Sequence, residues 1–541
     1  MKLPKKTMAA GAVGTLFLTA ACGSEGNEEV SPSADDYAID GTFTYALNGD
    51  PGTLSPLVAP AAAARLITPI AYDHLLHFDT NGDPVPWLAE SWEESPTSVT
   101  YTLKEGITCS DGSELTAQTV ADNFAFVEDE ANGSPARGAQ IPAGISVEAD
   151  NATREFTITT TTASSFLLFQ TGTLDIVCQS VLDDPDSAAA ATNGTGLYEM
   201  VDAVPNDSYT FERRDAYTWG YDETTADTEG LPKTIVVRIV SNESTLTNLL
   251  LSGEINAGNV NGPDVARLES AGLESAGTPW PVGEMYFNQS NGRPTADLRV
   301  RQALTMALDL DDLTQVISGG RGQRLEGMVT LEPNPCGPYN STEGLLPDTD
   351  PAKAASLLDE AGWSETADGT REKDGQPLSL TLVYDNTTDG QKAAAELTQM
   401  KWQELGATVN LKGGDNSFQI ANTIGTADSA SWDVTWITLK LLMPSSLTSF
   451  VSGPTPLDGN NFTHAINAEY EALVAQASEL QAPEACEVWE QAEEALIRDL
   501  TVLPYAVQPQ QTYLKNAILT ENSRPGAGTG PISGPAIRLL P

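Results

Sequence analysis

From Ile39 onward the chain alternates short apolar runs with amphipathic stretches of helical period, the pattern of an α/β fold. Thr42-Phe43-Thr44-Tyr45-Ala46-Leu47 alternates as a strand does and stops at the turn sequence Asn48-Gly49-Asp50-Pro51-Gly52. Ile235-Val236-Val237-Arg238-Ile239-Val240 reads as a buried strand. A helix over 245–252 follows, with Asn242 or Ser244 as its cap and Gly253 as its stop, and Ile255-Asn256-Ala257 returns as a strand. The same order recurs as a strand over 378–384, a helix over 391–405 stopped by Gly406, and a strand over 407–411. Two such units, well separated in the chain, predict two α/β lobes with parallel pairing in each. Further helices are expected over 300–317, where Val300, Ala303, Leu304, Ala307, Leu308 and Val316 share a face, and over 350–362. In the latter Asp350 is placed to cap, Pro351 fits the first turn and Gly362 fits the stop.

The first residues follow a different pattern. Lys2, Lys5 and Lys6 precede an apolar run over 8–21, then Cys22, then a polar stretch that no membrane span would tolerate. A positive start, a short apolar core and small residues before a cleavage point describe a secretory signal over 1–21. With Cys22 first after the cut, the segment resembles a bacterial lipobox, Thr19 standing where leucine is usual. The expectation is an exported protein, anchored to the outer face of the cytoplasmic membrane by a lipid on Cys22. Residues 22–38 read as a flexible linker, with a reach of roughly 20 Å. No second apolar run approaches the roughly 18 residues that span a bilayer.

At 541 residues the chain is too long for a single core. Its 28 Lys+Arg against 75 Asp+Glu, net −47, exclude nucleic acid as a partner and disfavour long-range capture of anions. Solubility in a saline or alkaline habitat accounts for such a surface. Five cysteines are an odd number for an exported chain, and lipidation of Cys22 leaves Cys109, Cys178, Cys336 and Cys486. Four thiols allow three pairings, and their spacing is not that of metal ligands. The three histidines, His74, His77 and His464, form no hydrolase or zinc motif; His74 and His77 read as an exposed face rather than a metal site. Neither an enzyme nor a cofactor is expected. The residues describe a protein built to hold something.

Several segments, in order, carry a family resemblance. Asp297-Leu298-Arg299-Val300-Arg301-Gln302-Ala303-Leu304 resembles the hallmark of the oligopeptide/dipeptide-type solute-binding proteins of ABC importers (family 5). Asp50-Pro51-Gly52-Thr53-Leu54-Ser55-Pro56, Ser110-Asp111-Gly112, Gly194-Thr195-Gly196-Leu197-Tyr198, residues 351–363 and Val502-Leu503-Pro504-Tyr505 resemble other motifs of that family. The match covers roughly residues 40–520.

The resemblance implies an α/β fold of the two-lobed, hinged periplasmic-binding-protein type, with an extra domain inserted in the first lobe. Lobe I would comprise 39–56, 190–280 and 505–541, the inserted domain 57–189, and lobe II 281–504. This layout places Cys109 with Cys178 and Cys336 with Cys486, implying those two disulfides. The function implied is a monomeric, lipid-anchored receptor that closes on a solute, a peptide first of all, and delivers it to the transmembrane subunits of an ABC permease. A sugar or metal chelate is the alternative solute, and an exported hydrolase with an unfamiliar site is the alternative class. Carried onto this chain, the ligand site comprises Val58, Ala59, Pro60 and Ala61, then Trp280, Glu284 and Tyr286, then Trp436, Thr438, Leu439 and Lys440; no metal is implied. One departure bears on the solute: residues 436–456 contain no acid to pair with a peptide ammonium. Either Glu284 takes that role, or the ligand has no free amine or is not a peptide.

Overall fold

The computed structural model describes residues 37–59, 62–520 and 532–541. The signal, Cys22, most of the linker, Pro60 and Ala61 lie outside them.

Ten strands form one sheet. They are β1 (Thr42–Leu47), β2 (Tyr198–Val204), β3 (Ser208–Arg213), β4 (Thr234–Ile239), β5 (Ala257–Asn259), β6 (Glu274–Phe287), β7 (Ser379–Asp385), β8 (Thr408–Gly414), β9 (Val434–Thr435) and β10 (Val502–Leu514). Their spatial order is β8-β7-β9-β6-β10-β5-β1-β4-β3-β2. Parallel pairing is present in both units: β7 runs parallel to β8, as the sequence predicts, and also to β9, whereas β4 and β5 pair not with each other but with β1 between them, both parallel to it. The two units are not separate sheets, however. β6 and β10 are long enough to join them, pairing from Glu274 opposite Leu514 to Tyr286 opposite Val502. β5 adds to one end of this ribbon and β9 to the other, so the middle of the sheet has only two strands, joined at its edge by the single bridge between Gln323 and Val507.

That ribbon is poorly suited to rigidity. Pro279 faces Pro509, and Pro281 and Pro504 lie nearby, each removing a ladder donor. The register also shifts between Pro281 and Gly283 and again between Gly283 and Glu284. Bulges of this kind bend a strand and re-aim its side chains.

Local caps set the helices. Asn242 Oδ1 accepts from Thr245 N (2.9 Å), and Gly253 takes the left-handed conformation (φ 76°) that ends the helix. Asp350 caps the helix Pro351–Glu360 by accepting from Lys353 N (2.9 Å). The single helix expected over 300–317 is two, Leu298–Met306 and Leu310–Ile317. Asp309 divides them, because its carboxylate accepts from Asp311 N and Asp312 N (both 3.0 Å) and so starts a new helix.

An antiparallel sheet in the order Ala89–Ser95, Ser98–Leu103, Glu155–Thr160, Ile145–Asp150 packs with the helix Ala117–Glu128 between β1 and β2 in sequence. Two disulfides are formed, Cys109–Cys178 and Cys336–Cys486. His74 and His77 are buried, contrary to the exposed face expected of them. His74 Nε2 meets Asp175 Oδ1 at 2.8 Å, and His77 stacks on Tyr221 at 4.2 Å between centroids, so aromatic packing and a carboxylate partner account for the pair.

Segments distant in the chain also meet. Ser165 Oγ donates to the Ala477 carbonyl (2.7 Å) and accepts from Trp489 Nε1 (3.0 Å), while the ring of Phe166 lies 6.1 Å from that of Trp489. These buried bonds bind the segment after the antiparallel sheet to two helices, Ala468–Ser478 through Ala477 and Glu484–Arg498 through Trp489.

Candidate functional site

The bulge between β6 and β10 brings together most of the crossover residues read from the sequence. Gly283 is required there: a Cβ on it would lie 2.5 Å from Tyr505 Cε2, so only glycine lets that ring rest on the neighbouring strand. Next to it, Glu284 is fully buried. Its Oε2 accepts from Tyr286 OH (2.7 Å) and from Leu439 N (2.8 Å), while Oε1 has no hydrogen-bond partner among the described residues. Burial raises the Glu284 pKa to about 8. Nearby Glu493 pushes it up further, and the Leu439 N–H, Tyr286 hydroxyl and Lys440 oppose the rise without cancelling it. Burial thus favours the protonated, neutral form of this side chain.

Around it stand aromatic rings. Trp436, 1% exposed, packs edge-on between Tyr384 (6.4 Å) and Tyr505 (5.9 Å). Trp436 Nε1 and Tyr505 OH are buried and, like Glu284 Oε1, find no hydrogen-bond partner among the described residues. Lys440 is solvent-exposed, and its Nζ lies 4.1 Å from the centre of the Trp280 ring, a cation–π distance. Protein packed around this ammonium lowers its pKa, and Glu284 and Asp385 draw it back up.

The segment 436–440 is held from both sides. Asp433, buried at its start, takes a forked ion pair from Arg293 (Nε to Oδ1 2.9 Å, Nη2 to Oδ2 2.5 Å) and accepts from Thr381 N (2.8 Å). At its end, Thr330 N and Leu331 N donate to the Leu441 carbonyl (3.3 and 3.2 Å). The loop carrying Thr330 is itself strapped to the helix Glu484–Arg498. Glu493 accepts from Met328 N (2.7 Å), Tyr339 OH (2.8 Å) and Ser341 Oγ, and Cys336 is bonded to Cys486.

The crossover thus unites Trp280, Glu284, Tyr286, Trp436, Leu439 and Lys440. Thr438 is half-buried within the same segment. Val58 and Ala59 take part in none of these hydrogen bonds or ring contacts. Both donate to the Ser55 carbonyl in a turn, and Ser134 Oγ fastens Leu57 beside them (2.7 Å).

Residues 83–455 match the family described as bacterial extracellular solute-binding proteins, family 5 Middle. The chain belongs to the family 5 bacterial extracellular solute-binding proteins. The nickel-binding periplasmic protein of Escherichia coli (strain K12) is 26% identical over 365 residues, 64% of this chain and 66% of its own length. The periplasmic oligopeptide-binding protein OppA of Salmonella typhimurium is 24% identical over 477 residues, 80% of this chain and 81% of its own. The crystal structure of the ABC transporter substrate binding protein CtaP of Listeria monocytogenes superposes with a TM-score of 0.76 at 21% identity, covering 93% of this chain and 100% of CtaP. This family 5 chain therefore has the two-lobed periplasmic-binding fold, and its family is one of binding proteins rather than enzymes.

Sequence reasoning missed three members of the site: Tyr505, Tyr384 and the loop through Thr330. Tyr505 stood inside a recognised motif, yet its position against Gly283 depends on two bulges that no local pattern announces. The Thr330 loop carries no motif at all.

Proposed function

We propose that this family 5 protein is an exported receptor, tethered through a lipid on Cys22, that closes on a solute at the crossover and presents it to an ABC permease. The observation that carries this reading is the buried cluster of Glu284, Trp436 and Tyr505 beside a ribbon only two strands wide. A ribbon weakened by prolines and bulges is a place for hinge bending, and a solute touching both sides stabilises the closed form. The proposed organisation keeps lobe I as 39–56, 190–280 and 505–541, the inserted domain as 57–189 and lobe II as 281–504. On it, Ser165 and Trp489 form a latch between the inserted domain and lobe II.

A peptide is the leading solute, supported by relatives such as the oligopeptide-binding OppA. A metal chelate is the second reading, favoured by the nickel-binding relative and by the absence of an acid over 436–456. Mass spectrometry of whatever denaturation releases from the purified protein tests both. A stoichiometric peptide supports the first, a metal complex the second, and a chemically altered solute would reject a receptor role.

Closure also has a consequence that contact with solute does not. Trp489→Phe keeps the ring against Phe166 but deletes the bond to Ser165. Loss of one buried hydrogen bond from the closed state is expected to weaken solute affinity about fivefold. Calorimetric titration with the released solute measures this, and an unchanged affinity would exclude the latch.

A further inference from the structure

We propose that the solute presents a hydrogen-bond acceptor, a carbonyl or carboxylate oxygen, to Glu284, Trp436 and Tyr505, and not an ammonium group. This rests on the receptor reading and deepens it by naming the chemistry of the solute at that point.

Donors outnumber acceptors among the unpartnered groups of this cluster. Glu284 Oε2 already accepts two hydrogen bonds, from Tyr286 OH and Leu439 N. In a neutral carboxylic acid one oxygen accepts as a carbonyl does, and the other carries the proton and donates. The doubly bonded-to Oε2 is the acceptor, so the unpartnered Oε1 is the O–H. Trp436 Nε1, also unpartnered and buried, can only donate. Tyr505 OH, the third unpartnered group, donates as readily as it accepts. Lys440, one residue beyond Leu439 and exposed, adds an ammonium. Four donors and at most one free acceptor make a site for oxygen lone pairs.

An ammonium would need Glu284 to ionise. The charged groups acting on Glu284 are Glu493, which opposes ionisation, and Lys440, which favours it; Tyr286 and Tyr505 face it as neutral phenols. Burial of the whole carboxyl opposes ionisation most strongly. A ligand cation would also have to share the site with Lys440.

Two probes separate the alternatives, using the mature chain. N-acetyl-trialanine offers carbonyls and a carboxylate without an ammonium; trialanine amide offers an ammonium without a carboxylate. The expected result is preference for the acetylated acid by the wild type. Glu284→Gln keeps an acceptor for Tyr286 and Leu439 and a donor toward the solute, so it should bind this probe within about threefold of wild type. Glu284→Ala should lose tenfold or more, as expected when a buried donor to the ligand is deleted. N-acetyl-trialanine amide, tried alongside, tells a carboxylate from a carbonyl: equal binding assigns the carbonyl, and weaker binding the carboxylate. Preference for trialanine amide, abolished in Glu284→Gln, would overturn the proposal. Binding of no peptide probe would count against a peptide receptor, and the acceptor assignment is then decided by infrared spectroscopy at pH 7. A protonated-carboxyl band of the wild type, missing from Glu284→Gln, that shifts to lower frequency when the solute released by denaturation is added back upholds it; no such band, or one that the solute leaves unshifted, overturns it.

Discussion

Replacing Cys336 and Cys486 with serine is expected to lower the stability of the protein by about 5 kcal/mol. The bridge spans 150 residues, and cross-linking so long a segment removes much of the freedom of the unfolded chain. The Cys109–Cys178 bridge spans 69 residues, and its removal should cost about 4 kcal/mol. The first is the more consequential because of where it lies. It ties the loop holding Thr330 and Leu331 to the helix that presents Glu493, and the loop in turn supports Leu441 at the end of the candidate ligand segment. The serine variant should therefore lose solute affinity as well as stability, whereas loss of Cys109–Cys178 should act on stability alone. Denaturant unfolding and calorimetric titration check both. A stability change under about 2 kcal/mol for either pair would contradict the argument.

Glu284 should make the empty protein less stable as pH rises. Its folded pKa, about 8, stands above the ordinary value of 4.5, so the folded state binds the proton more tightly than the unfolded state. The associated stability is fully present below about pH 4.5 and is lost progressively until the pH passes 8. Each pKa unit corresponds to about 1.4 kcal/mol, so between pH 5 and pH 8 the loss approaches roughly 4 kcal/mol. Asp73, buried and raised to about 6, contributes in the same direction. Buried His77, lowered to about 4, contributes in the opposite one, since it is stabilising only while neutral. Comparing wild type with Glu284→Gln cancels those two. Urea unfolding at pH 5 and pH 8 should show the wild type losing several kcal/mol more than the variant; parallel losses would show that Glu284 is ionised throughout. A site that keeps an acid protonated at the expense of stability in alkali is better explained by binding than by folding.

What could be read from residues alone was whatever near neighbours decide. Asn242, Asp350 and Gly253 could be assigned because a cap is made within three or four residues of the side chain that makes it. Asp309 obeys the same rule, but a continuous apolar face over 300–317 masks the break it causes between the two helices. Parallel strand–helix–strand units and the family motifs were legible for the same reason. The mistaken exposed face at His74 and His77 marks the limit, for Asp175 lies 101 residues from His74 and Tyr221 is farther still from His77.

The site belongs beyond that limit. Sequence named Glu284, Trp436 and Lys440 by resemblance, but it left open whether Glu284 was an anion awaiting an amine. The answer depends on the Leu439 N–H, 155 residues away, on Glu493 in a distant helix, and on burial beneath a ribbon bent by two bulges. Electrostatics and desolvation act through space rather than along the chain. The sequence by itself determined a two-lobed family 5 solute-binding protein; only the tertiary structure decided that the carboxyl of Glu284 is buried, with one oxygen held by Tyr286 and Leu439 and the other without a partner among the described residues.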